Sequence, residues 1–294
     1  MLDVVLAPAR PLETGSDVPG RVMLVQGGSA ANTARWLGRL GARTTFIGAV
    51  GRDAAGRALV DALRSDRVVP RVTRVAGTRT GRIGVLVAPD GERSFVADRA
   101  AADRLGPDDL QDGWFDGVQG LHLPVYSLLG DPLGAAGRRA IEMARARGAL
   151  VSIDLASIVP LLAQGRRAAR SMLDAAAPDL LFATASEAEA LVGRSSEALL
   201  EIAPMAVVKR GAKGATILLR EGDTRLRFEV ATEHLVARDT TGAGDAFDAG
   251  FLVGWFAARA AGRGVSASLQ RAALGGHRTA AKQLSVPRAE LPLA

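Results

Sequence analysis

Between residues 117 and 209, four continuous apolar segments (117–123, 150–155, 180–183 and 205–209) alternate with four segments of helical periodicity (132–147, 164–175, 186–192 and 196–202). A strand that is apolar along its whole length has both faces covered, which is the condition of a parallel sheet clothed by its crossover helices. This alternation predicts an α/β fold with a mostly parallel central sheet. In such sheets ligands lie beyond the carboxyl ends of the strands. Asp154 stands at one of those ends, where a loop or capping role is the simplest expectation.

The flanking segments read differently. Residues 3–7 and 22–25 are short strands, and Pro8, Pro11 and Gly15 lie between them. Gly27 and Gly28 lead into a helix over 29–40, with Ser29 as the expected N-cap and Gly41 as the stop. A strand over 44–50, a helix over 54–64 and strands over 71–75, 82–88 and 94–97 follow. Pro89-Asp90-Gly91-Glu92 is a hairpin turn signal between the last two. Segments of about 8–25 and 81–98 are expected to form a small β-sheet apart from the main layers. Antiparallel strands over 215–219 and 225–230, then helices over 243–258 and 268–282, complete the pattern.

Composition removes several function classes. The 294 residues contain no cysteine, which excludes disulfides, thiolate catalysis and Cys-based metal sites, and fits a cytoplasmic location. His122, His234 and His277 are far apart and have no metal-ligand spacing. The net charge of +6 comes with scattered arginines and a single tyrosine, not the basic clusters with aromatics that nucleic-acid binding needs. The surplus fits a solvated surface that attracts an anionic nucleotide. No apolar run reaches the roughly 18–20 residues of a membrane span, and the first residues lack a basic leader region.

The stretch Asp239-Thr240-Thr241-Gly242-Ala243-Gly244-Asp245-Ala246-Phe247-Asp248-Ala249-Gly250 carries the chemistry. Gly242 and Gly244 permit close backbone approach, and the helix that starts there presents free amides and a positive dipole end to an anion. Asp245 puts a carboxylate in the first turn. Phosphoryl transfer needs a cradle for the moving group and an acceptor for the proton of the attacking hydroxyl. Two rival motifs fail. Phe247 stands where a dinucleotide fingerprint needs its third glycine, and no Gly-x4-Gly-Lys-Ser/Thr occurs.

The twelve residues resemble the second signature of the ribokinase (PfkB) family of carbohydrate and nucleoside kinases. Gly27-Gly28-Ser29-Ala30-Ala31-Asn32, with Gly41, Gly48, Gly51, Asp53 and Gly56, resembles the first. The resemblance runs over about residues 3–292. It implies a single ribokinase-like three-layer α/β/α sandwich with a small β lid, and ATP-dependent phosphorylation of a sugar hydroxyl. It also implies Asp245 as the catalytic base, with the Gly242, Ala243 and Gly244 amides as anion hole. Asp3, Gly28 and Asn32 are implied as sugar ligands. Thr184-Ala185-Ser186-Glu187 is similar to an Asn-x-x-Glu motif whose Glu organises magnesium and phosphates, with Thr184 replacing the Asn. Lys209, Gly211 and Gly214 match a nucleotide loop, and His277 a position bordering adenine. Asp239 and Thr241 match a monovalent-cation site for potassium. The tail at Val286-Pro287-Arg288-Ala289 lacks a glycine common there.

Family members begin with a full Gly-Asp-x-x-x-Asp strand, of which Asp3 alone matches here, so a weakened central sheet is expected. The resemblance further implies a homodimer through the lid, with no nucleic-acid or membrane partner. Two alternatives stay open. A nucleoside kinase of the same fold would want aromatics in the lid, which offers few beyond Phe95. A sugar- or nucleotide-binding protein without turnover is motivated by Thr184 and the short first strand.

Overall fold

A computed structural model of the chain describes residues 1–88, 93–233, 240–286 and 288–292. The chain divides into two compact units. One comprises residues 1–105, 236–243 and 282–294, the other 106–235 and 244–281.

The second unit holds the predicted alternation. Strands β7 (Gly120–Pro124), β8 (Leu150–Asp154), β9 (Leu180–Thr184) and β10 (Met205–Lys209) are parallel neighbours. Strands β11 (Ala215–Glu221) and β12 (Thr224–Val230) extend the sheet antiparallel at the β10 edge. Period-two alternation sends successive side chains to opposite faces. Val151, Ile153, Leu181, Ala183, Ala206 and Val208 pack against helices α3 (Leu133–Arg145), α5 (Arg166–Ala176) and α6 (Ala185–Val192). On the other face Phe182 meets Phe251 of α7 (Ala243–Ala260) edge-on at 5.2 Å between ring centroids. Helices therefore cover both faces, and the fold is the expected α/β sandwich with a mostly parallel sheet.

Helix α7 is buried continuously from Ala246 to Leu252 and reaches solvent at Ala257, Arg259 and Ala260. It lies close to α8 (Val265–Ser285) because Gly250 has no side chain. A Cβ there would overlap Thr279 and sit 2.5 Å from the Gly275 carbonyl oxygen. Two expectations change in this unit. Residues 196–201 form a 3-10 helix, a shape suited to a short connector. A one-turn helix, α4 (Ile158–Leu161), precedes α5.

The first unit contains a four-stranded sheet in the order β2-β1-β5-β6, from β1 (Leu2–Pro8), β2 (Gly20–Gln26), β5 (Arg82–Val87) and β6 (Arg93–Asp98). Strand β1 is paired on both edges, with β2 antiparallel and β5 parallel. The turn expected at 89–92 lies outside the described residues, although the strands that flank it pair antiparallel. A two-stranded parallel sheet joins β3 (Thr44–Gly51) to β4 (Val68–Val75), and α1 (Ser29–Arg39) and α2 (Ala54–Ser65) pack in the same unit. Ser29 is the first residue of α1, not its cap. Gly28 holds the cap position at φ +93°, a conformation that suits glycine. Asp53 caps α2 through the Gly56 amide at 2.8 Å and also accepts the Thr80 amide at 2.9 Å. Gly51 and Gly56 back onto the same 78–80 segment, so this part of the first signature is structural cement.

One core group makes the fold sensitive to acid. His122 of β7 is half-buried, with Nδ1 3.0 Å from Ser152 Oγ and Nε2 enclosed with no hydrogen-bond partner among the described residues. Burial pushes its pKa down to about 4. The folded protein therefore binds fewer protons here than the unfolded chain. Stability from this group is complete above the ordinary histidine range and falls as pH drops toward 4, by up to about 3 kcal/mol. Urea midpoints at pH 7 and pH 5 should show a smaller acid loss in His122→Asn than in the parent. Equal losses would remove the group from the account.

Candidate active site

Three adjacent parallel strands end in polar residues. Asp154 ends β8, Thr184 ends β9 and Lys209 ends β10, with Lys209 directly opposite Thr184 in the register. The backbone turns away from the sheet there, so these side chains gather at the carboxyl edge. Lys209 Nζ donates to Asp154 Oδ1 at 3.0 Å and to both oxygens of Asp248 at 3.1 Å. The three side chains are 11%, 6% and 0% exposed, so Lys209 is a buried charge and not a solvated loop lysine.

Burial alone would discharge the Lys209 ammonium, but the fields of Asp154, Asp248 and Glu187 outweigh it and hold its pKa well above the ordinary lysine value. The carboxylates outnumber the ammonium. Burial accordingly raises the pKa of Asp248 well above normal against the pull of Lys209, and raises that of Glu187, aided by Asp154. Lys209 Nζ also lies 3.4 Å from the point where a side chain on Gly244 would begin. A buried positive charge thus underlies the amino end of α7.

Glu187 closes a capping box. Its Oε2 accepts the Thr184 amide at 2.7 Å, while Thr184 Oγ1 accepts the Glu187 amide at 3.3 Å. Threonine therefore serves the cap that the sequence comparison with Asn-x-x-Glu left open. Gly211 and Gly214 have φ of +57° and +83° around a 3-10 turn, and a side chain on Gly214 would strike the Val230 carbonyl. His277 Nε2–H donates to the Val230 carbonyl oxygen at 3.2 Å, and the ring packs edge-on against Phe247. Burial lowers its pKa, so it is a neutral ring near pH 7.

The glycine stretch begins with a turn. The Ala243 amide donates to the Thr240 carbonyl at 3.2 Å, and Gly242 sits at the third position with φ +78°, the geometry a type II turn asks of glycine. The Ala243 amide is thus engaged within the chain, and its expected share in an anion hole requires that bond to be exchanged. Asp245 lies in the first turn of α7, half-buried. The unit boundary falls between Ala243 and Gly244.

In the first unit, Asp3 is 4% exposed and its Oδ2 accepts Arg288 Nη1 at 2.8 Å. Its carboxylate occupies the space a side chain on Gly27 would fill. Asn32 is in α1, and its Nδ2 lies 3.6 Å from the Cβ position of Gly242. Asp3, Gly28, Asn32 and Gly242 therefore belong to one unit, and Thr184, Glu187, Lys209, Gly211, Gly214, Gly244, Asp245 and His277 to the other.

Two ions were expected. Among the described residues no three His, Asp or Glu side chains form a metal cluster. A magnesium carried mainly by phosphate oxygens and waters needs no such cluster. The monovalent cation fits poorly. The Thr241 carbonyl accepts Gln283 Nε2 at 3.2 Å, and Asp239 lies outside the described residues.

Sequence reading missed Asp248 and the inward role of Asp154. Asp248 was detectable: a carboxylate within Ala246-Phe247-Asp248-Ala249-Gly250-Phe251 cannot be buried without a partner.

The chain is similar to several known proteins. The fructokinase of Klebsiella pneumoniae is 33% identical over 250 residues, which cover 81% of this chain and 79% of that protein. The crystal structure of adenosine kinase from Sinorhizobium meliloti is 25% identical, with a TM-score of 0.78 over 100% of this chain and 94% of its own. The fructokinase of Vibrio cholerae O395, solved with fructose, ADP and calcium ion, has a TM-score of 0.77 at 23% identity over 99% of this chain and 93% of its own. The family described as pfkB family carbohydrate kinase matches residues 1–293. The chain therefore belongs to the pfkB family of carbohydrate kinases and is an ATP-dependent sugar kinase.

Proposed function

We propose that the protein transfers the γ-phosphoryl group of ATP to a hydroxyl of a free sugar, with a ketohexose such as fructose as the first candidate. Asp245 takes the hydroxyl proton, the sugar oxygen forms a bond to phosphorus, and the bond from phosphorus to the β-phosphate oxygen breaks to release ADP. The observation that carries this is the glycine turn opening α7, with a carboxylate in the next turn and a buried ammonium beneath Gly244. Amides at Gly242 and Gly244 hold the transferring group, the Ala243 amide joins them when it exchanges its bond to the Thr240 carbonyl, and the helix dipole adds to their field.

Asp3, Gly28 and Asn32 bind sugar hydroxyls. Thr184, Glu187, Lys209, Gly211, Gly214 and His277 serve the nucleotide, Lys209 by its field, since its protons are already directed to Asp154 and Asp248. Magnesium bound with the triphosphate would supply charge neutralisation, and Glu187 is the residue that would help hold it. The four-stranded sheet acts as the lid. Its exposed Leu6, Val22, Phe95 and Val96 suit contact with a second copy of the chain.

The adenosine kinase likeness supports a second reading, phosphorylation of a nucleoside. An ADP-release screen over pentoses, hexoses, keto-deoxy acids and nucleosides separates them. Fructose or a related hexose should give the highest kcat/KM. A nucleoside ahead of every free sugar would overturn the assignment.

A further inference from the structure

The turn before α7 is held by side chains from elsewhere in its own unit. Gln283, in the last turn of α8, has two bonds. Its Oε1 accepts the Trp36 indole N–H at 2.9 Å, and its Nε2 donates to the Thr241 carbonyl at 3.2 Å. The amide orientation follows from chemistry. An indole nitrogen only donates, so the atom facing Trp36 must be the oxygen, which turns the NH2 group to Thr241. On the neighbouring residue, Arg93 Nη1 donates to Thr240 Oγ1 at 2.8 Å. The turn thus meets a side-chain donor at both Thr241 and Thr240. A Cβ on Gly242 would lie 3.8 Å from the Gln283 amide, so the same side chain also abuts the glycine whose positive φ makes the turn.

We infer that in this chain the Gln283 amide does the work of a monovalent cation, fixing the Thr240–Ala243 turn so that the amino end of α7 is formed without potassium. A cation brought to the Thr241 carbonyl would face the Gln283 N–H, whose partial positive charge repels it. Gln283 is a positioning residue that acts through the turn. The proposal rests on the phosphoryl-transfer reading of that turn, so its test includes a measurement that needs no turnover.

The experiment compares the parent protein with Gln283→Ala and Gln283→Glu in potassium, sodium and choline chlorides at one ionic strength. Thermal melting comes first. A cation that binds only the folded state raises the melting temperature. The parent should melt at the same temperature in all three salts, whereas Gln283→Glu, which cannot donate to Thr241 and brings a negative charge, should gain a potassium-specific rise. ADP release follows. The parent rate should be indifferent to the salt, and Gln283→Ala should lose about tenfold in kcat in choline, the net worth of one hydrogen bond, and recover in potassium. A potassium-specific rise in the parent's melting temperature, or no potassium response in either variant, overturns the inference. If no sugar supports ADP release, the kinase reading fails while the melting comparison still decides the role of Gln283.

Discussion

Replacing Asp245 by Asn is expected to lower kcat by at least about 100-fold, the typical worth of a positioned general base. The substitution keeps the shape and leaves a residue that is well tolerated in a first helical turn. Its structural cost includes the loss of a carboxylate near the helix dipole, about 0.3–1 kcal/mol. Melting temperature and KM for sugar and ATP should therefore stay near those of the parent while turnover collapses. A steady-state ADP-release assay on purified protein reads both parameters. Near-normal kcat would reject Asp245 as proton acceptor, and a collapse in stability would mean that its role is structural.

Lys209→Met should lower stability by about 3–5 kcal/mol in urea unfolding at pH 7. The reason is asymmetric. Removing the ammonium leaves Asp154 and Asp248 buried with no counter-charge, and Asp248 has no route to solvent. A solvated loop lysine would cost under about 0.5 kcal/mol. Adding Asp248→Asn to Lys209→Met removes one uncompensated charge, so the double variant should be more stable than Lys209→Met alone. If the two changes simply add, the pair is not coupled, and the cluster is not the unit described above.

Much of the architecture was legible because it depends on local pattern. Continuous apolar strands between helices leave few options other than a covered parallel sheet, and β7 to β10 appear within a few residues of their expected places. The glycine turn was legible because positive φ at Gly242 is a backbone requirement that residue type reveals. Boundaries were less so. Helix α1 starts one residue sooner than a Ser29 cap would allow, since a glycine at φ +93° can take the cap position without a side-chain bond.

The candidate site divided along the same line. The positions of Asp245, Gly242 and Gly244 follow from neighbours in sequence, and so do Thr184 and Glu187, which meet each other over one helical turn. By contrast, Lys209 finds Asp154 and Asp248 across 55 and 39 residues, Arg288 finds Asp3 across 285, and Gln283 finds Trp36 across 247. Residue type announces that a buried charge must have a partner but cannot say which, because the choice is made by strand order and helix crossing. The amino-acid order alone thus determined the fold class, the family and the glycine turn before α7. The folded chain decided which lysine is locked between two acids, and which amide holds the turn, because both depend on groups brought together only when the sheet and helices close.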